Sequence, residues 1–149
     1  MSQPLIESAS RQAVNTQIVG NMGLYLVCYE LSKLGWNVMP TARNARGVDI
    51  IAYNATATRF LGIQVKSLSK RNPVPLGPTL DKVMGDFWFI VNNLAGTPGI
   101  YILKPQEVRE RAHRGVKEDR ISYWLQPKTY MTQEFENSWT RLDEPNPPQ

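Results

Sequence analysis

Apolar residues recur at helical spacing from Thr16 to Leu34 and then give way to short apolar runs broken by polar loops. Gly20, Gly23, Leu24, Val27, Cys28, Leu31 and Leu34 fall on one stripe, as on an amphipathic helix. Asn15 or Thr16 supplies an N-cap, and Gly35 a C-terminal stop. Each stripe glycine weakens the helix by roughly 1 kcal/mol relative to alanine. Close packing on a sheet is the expected compensation.

"WNVMP" predicts a short strand ended by Pro40, and "TARNARG" a polar loop. "GVDIIAYNATATRFLGIQVKS", Gly47 to Ser67, predicts a hairpin turning around Ala55–Thr58. With Asn54 facing Arg59, the register sets Tyr53 opposite Phe60, Ile51 opposite Gly62 and Asp49 opposite Gln64. "SLSKRNPVPLGPTLDK" holds too many prolines for a regular element, while "DFWFIVNNL" and "GIYILK" read as apolar strands. "PQEVRERAHRG" reads as a surface helix opened by proline, "RISYWLQ" as a strand and "KTYMTQEFENSW" as a final short helix. This order predicts a mixed α/β (α+β) domain with an α-β-β-β start over residues 16–143, after an arm of residues 1–15 and before a disordered tail, 144–149.

Composition narrows the chemistry. The 149 residues fit one domain. No run approaches the roughly 18 apolar residues of a membrane span, and "MSQPLIESASRQ" lacks the features of a signal peptide, so a cytoplasmic protein is expected. A single cysteine, Cys28, excludes an internal disulfide or a cysteine-rich zinc site. The single histidine, His113, excludes a histidine-pair metal motif and is expected to be exposed on the basic helix "VRERAHRGVK". A net charge of +4 fits a polyanionic partner. Arg43, Arg46, Lys66, Lys70 and Arg71 bracket the hairpin.

The hairpin carries the candidate chemistry. Strand alternation puts Asp49, Gln64 and Lys66 on one face and the apolar Ile50, Ala52, Leu61, Ile63 and Val65 on the other. The apolar face explains folding but leaves the polar trio unexplained. An anionic oxygen from Asp49, an amide oxygen from Gln64 and the Val65 backbone carbonyl suit a hard divalent cation. Lys66 would orient a water or offset charge developing on phosphorus. The plainer alternative is a wet strand face on which Asp49 and Lys66 form a surface ion pair worth under about 1 kcal/mol.

A helix, then "GWNV", a Gly-x-Asp strand and "IQVKS" together resemble the PD-(D/E)XK nuclease superfamily, in the branch with Gln in place of the usual acid, as in Mrr-type and intron-associated endonucleases. The resemblance covers Gly20 to Ser67. It implies a restriction-endonuclease-like core with a central mixed sheet flanked by helices. It also implies metal binding by Asp49 and Gln64, a catalytic Lys66, Mg²⁺ or Mn²⁺ as cofactor, and DNA as partner. Three positions depart from the pattern. Val48 replaces a frequent proline, Gln64 removes one negative charge, and Leu24 stands where relatives often carry a helix glutamate. Glu30, the sole acid of the helix, has Lys33 as its i+3 neighbour and reads as a surface residue. Gln17 lies on the stripe two turns before Leu24 and could reach the site edge.

Phe87, Trp88 and Phe89 read as core, with base stacking as the alternative, and Asp81 and Asp86 as turn and strand-end residues. Arg43, Arg46, Lys70 and Arg71 are the candidate phosphate contacts. Two functions follow. One is a metal-dependent nuclease of restriction, repair or junction-resolving type, for which double-strand cleavage requires a homodimer. The other is a catalytically degenerate nuclease fold acting as a nucleic-acid-binding or protein-interaction module.

Overall fold

Asn15 opens the first helix by accepting the Gln17 N–H at 2.8 Å, which satisfies one of the free donors of the first turn. Helix α1 runs over Thr16–Lys33. Gly35, at φ 93°, turns the chain out of it in a conformation that a Cβ would strain. The computed structural model describes residues 15–42 and 47–144. The predicted arm before Asn15, Arg43, Arg46 and the tail from 145 on lie outside the described residues.

The buried line of α1 is Val19, Gly23, Val27 and Leu31. Leu24 and Cys28 are only half-buried, and Leu34 is exposed, so the inward face is rotated from the predicted stripe. The two glycines differ. A Cβ at Gly23 would lie 1.9 Å from Ser67 Oγ, so close packing on the sheet is real there. A Cβ at Gly20 would meet open space. Gly20→Ala is therefore expected to raise unfolding stability by about 1 kcal/mol. Gly23→Ala should lower it by about 1–3 kcal/mol through overpacking. Denaturant midpoints moving in the same direction for both variants would contradict this packing.

Strands β1 (Asn37–Pro40), β2 (Ile50–Tyr53) and β3 (Phe60–Ser67) form an antiparallel meander. The hairpin register pairs Tyr53 with Phe60 and Ile51 with Gly62, as the sequence predicts. The Asn54 side chain closes the turn by accepting the N–H groups of Thr58 and Arg59. β5 (Phe87–Asn92) then lies parallel to β3, and β6 (Gly99–Leu103) antiparallel to β5, giving the order β1-β2-β3-β5-β6. A second sheet contains β4 (Val74–Gly77), β7 (His113–Lys117) and β8 (Arg120–Leu125) in the order β4-β8-β7.

The molecule is thus a mixed α/β fold with a central mixed sheet between two layers. On one face Ile50, Ala52, Leu61, Ile63, Phe89 and Val91 pack with Val27 and Leu31 of α1. On the other, Trp88, Ile90, Tyr101 and Leu103 pack with Val74 and Leu125 of the small sheet and with Val108 of α2 (Pro105–Arg111). All six residues of β5 are buried, which is why "FWFIV" reads as an unbroken apolar run, and the sixth, Asn92, donates to the Tyr130 hydroxyl. Phe87, Trp88 and Phe89 are core residues. Among the described residues no helix is long and apolar enough to cross a membrane.

Three elements differ from expectation. The proline-rich stretch contains β4, an edge strand whose register shifts between Pro75 and Gly77; sheet edges and bulges tolerate proline. Val74 and Leu76 are buried, and Pro75 points outward. His113 is exposed as expected, but it begins β7 instead of extending the basic helix. Its ring lies tilted against Trp124 with centroids 4.5 Å apart, and Glu118 and Asp119, both at positive φ, make a tight hairpin turn to β8. The predicted last helix is a single turn, α3 (Pro127–Tyr130), followed by a 3-10 helix over Trp139–Asp143.

Candidate active site

β2 begins immediately after Asp49, whereas β3 runs on to Ser67. The strands therefore part beside Asp49 and Val65. The Asp49 N–H donates to the Ile63 carbonyl at 2.8 Å, and its carbonyl accepts the Thr41 N–H at 2.9 Å. The Thr41 hydroxyl also donates to the Val48 carbonyl at 2.6 Å, which ties the loop entrance down. With the backbone held, the Asp49 carboxylate reaches across the gap and accepts the Val65 N–H through Oδ2 at 2.7 Å. A charge-assisted bond of this length fixes the carboxylate. In an extended strand the N–H and C=O of one residue point to the same side. The Val65 carbonyl is accordingly directed toward Asp49, past the end of β2.

Gln64 and Lys66 alternate with Val65 and face the second layer. Gln64 is only 9% exposed, and its Oε1 is buried without a hydrogen-bond partner. An acceptor left in that state costs about 1–3 kcal/mol. The Lys66 ammonium lies 5.4 Å from the centroid of the Trp88 ring. Burial holds the Lys66 pKa below the usual lysine value; the Asp49 carboxylate opposes that shift and Lys82 adds to it.

Asp49 and Val65 line a cavity of about 370 Å³ together with Gln17, Gly20, Asn21, Leu24 and Thr41. Lys66 lines a different cavity of about 260 Å³ with Trp88, Thr79 and Lys82. The predicted convergence of Asp49, Gln64 and Lys66 on one face does not form. Asp49 turns to Val65 and opens toward α1, whereas Gln64 and Lys66 face the second layer, with Lys66 still within electrostatic reach of Asp49. Gln17 reaches the Asp49 cavity, and Leu24 forms part of its wall. Glu30 pairs with Lys33 at 3.4 Å, away from the site. Lys70 and Arg71 are exposed in the loop after β3. Asp86 accepts the Gly62 N–H at 2.7 Å and so has a strand-end role. Sequence reasoning missed Thr41, Asn21 and Lys82. Thr41 had a signal, as the residue that would face Asp49 once β1 is paired with β2; Lys82 had none.

Among the described residues no three His, Cys, Asp or Glu side chains group to hold a metal. The oxygens nearest the parting strands are instead one carboxylate and one backbone carbonyl, with one amide oxygen, that of Gln64, on the opposite face. All are hard oxygens, of the kind Mg²⁺ and Mn²⁺ take. The unpartnered Gln64 Oε1 is an acceptor that lacks a counterpart, and Asp49 has Oδ1 left beside its Val65 bond. The residues fit such a cation in donor type, with the low affinity expected of a single carboxylate. No family model, curated protein or solved structure matches this chain.

Proposed function

We propose that this chain is a metal-dependent nuclease with a restriction-endonuclease-like core, hydrolysing DNA phosphodiester bonds at the parting of β2 and β3. The observation that carries the reading is the Asp49 carboxylate anchored on the Val65 N–H where β2 and β3 part, at the mouth of a cavity. Asp49 and the Val65 carbonyl would hold Mg²⁺ or Mn²⁺, and Gln64 would join them only by turning from the face of the second layer. When bound, such an ion lowers the pKa of a water and offsets charge on the phosphoryl group. Lys66, in the neighbouring cavity but within electrostatic reach of Asp49, would offset developing negative charge. Lys70 and Arg71, with Arg43 and Arg46, would bind the phosphate backbone and make affinity fall with salt. Cutting both strands would take two copies.

The test is incubation of supercoiled, linear and branched DNA with Mg²⁺ or Mn²⁺. Wild type should convert at least one substrate and Asp49→Asn none. Wild type inert on all three would remove the reading for those substrates.

Leu24 in the cavity wall, with Asp49 the one carboxylate lining that cavity among the described residues, favours a second reading, a nuclease fold that binds nucleic acid or protein without cutting. On that reading Asp49→Asn leaves DNA affinity unchanged or raised, with no metal dependence. Calorimetric Mn²⁺ uptake that disappears in Asp49→Asn would count against it.

A further inference from the structure

The outer face of α1 is apolar where solvent should meet polar side chains. Ile18, Met22, Tyr25 and Tyr29 are 53%, 40%, 62% and 61% exposed. Their spacing of four, three and four residues makes them one continuous strip, turned away from the buried line of Val19, Gly23, Val27 and Leu31. A helix that is apolar on both its inner and outer faces is normally covered on both.

Charge narrows what covers it. From Thr16 to Tyr29 the helix carries no charged residue, and the first charges, Glu30 and Lys33, pair with each other. Polyanions and anionic lipid surfaces select basic faces, which this strip does not offer. An uncharged strip does let two copies of a chain of net charge +4 meet without opposing like charges.

The spacing narrows it further, because four-three-four reads the same from either end. A two-fold axis between Met22 and Tyr25 would set Ile18 against Tyr29 of the partner subunit and Met22 against Tyr25 of the partner subunit. Every layer then pairs an aliphatic side chain with an aromatic ring, and the Met22 thioether gains a ring contact. A parallel pair would instead stack like on like, with two tyrosine–tyrosine layers.

We propose that this chain forms a two-fold homodimer through the outer faces of α1, with the two helices antiparallel. Gln17 and Asn21 form a polar rim beside the strip and also line the Asp49 cavity, so each such cavity would sit at the margin of the shared interface. The inference stands apart from the hydrolytic reading, and its test uses neither metal nor DNA.

Sedimentation equilibrium of the full chain should give a dimer at micromolar concentration. Met22→Glu combined with Tyr25→Glu should weaken self-association by at least about 100-fold, with the circular-dichroism spectrum unchanged because both positions are exposed in the single chain, and with a melting temperature that no longer rises with protein concentration. In a Cys28→Ser background, an equimolar mixture of Ile18→Cys and Tyr29→Cys chains should cross-link on oxidation. Ile18→Cys alone should not, since the two copies of that residue would lie about 16 Å apart along the helix axis, beyond disulfide reach. A monomer at all concentrations, a dimer indifferent to the double substitution, or efficient cross-linking by Ile18→Cys alone would each overturn the proposal.

Discussion

Lys66→Ala is expected to reduce metal-dependent DNA cleavage by about 10²–10³-fold, and Lys66→Met to do the same while raising the melting temperature at neutral pH. The pairing of lost activity with gained stability follows from burial. The Lys66 pKa is lowered in the folded chain chiefly by desolvation. Between that lowered value and the ordinary lysine value of 10.5, the unfolded chain binds more protons than the folded one. Stability therefore rises with pH through that window, and below it the charged amine carries its full cost. Methionine keeps the stem against Trp88 and removes the buried charge. A variant that lost activity by misfolding would melt lower, so the two readouts separate chemistry from structure. Lys66→Met melting below wild type, or cutting as well as wild type, would contradict this role.

Glu107→Ala is expected to lower stability by about 3 kcal/mol, a fall of roughly 10 °C in melting temperature for a chain of this size. The Arg141 guanidinium meets both Glu107 carboxylate oxygens at 2.7 and 2.8 Å and donates to the Ile102 carbonyl at 2.8 Å. It also lies over the Phe135 ring, 5.5 Å from the centroid. The two side chains are only 14% and 16% exposed. Glu107 accepts the Lys104 N–H at 2.7 Å as well and so caps α2. Alanine would leave a largely dehydrated guanidinium without its counter-charge and would uncap the helix. The exposed Lys104–Glu144 pair is the control, and Glu144→Ala should leave the midpoint unchanged. Equal effects of the two substitutions would contradict the assignment of weight to Arg141 and Glu107.

Local signals were legible wherever one residue type dictated one conformation. Asn15 and Gly35 bounded α1, and the alternation of Ile50, Ala52, Leu61 and Ile63 set the hairpin register. What escaped were outcomes decided by distant partners. β4 forms through proline because β8 offers it an edge, and His113 joins a strand because Trp124 stands opposite it. The face of Asp49 escaped for a related reason. Alternation placed it beside Gln64 and Lys66, but Asp49 precedes the first paired residue of β2. Its side chain turns in the plane of the sheet to the Val65 N–H and opens on the helix side. The Arg141–Glu107 pair joins residues far apart in the chain, and no local pattern announces it.

Crystals soaked in Mn²⁺ and read by anomalous scattering test the central claim most directly. A peak is expected where β2 and β3 part, bounded by Asp49 and the Val65 carbonyl and missing in Asp49→Asn. Crystals in which Asp49 keeps its bond to Val65 while that gap shows no manganese in wild type would contradict it.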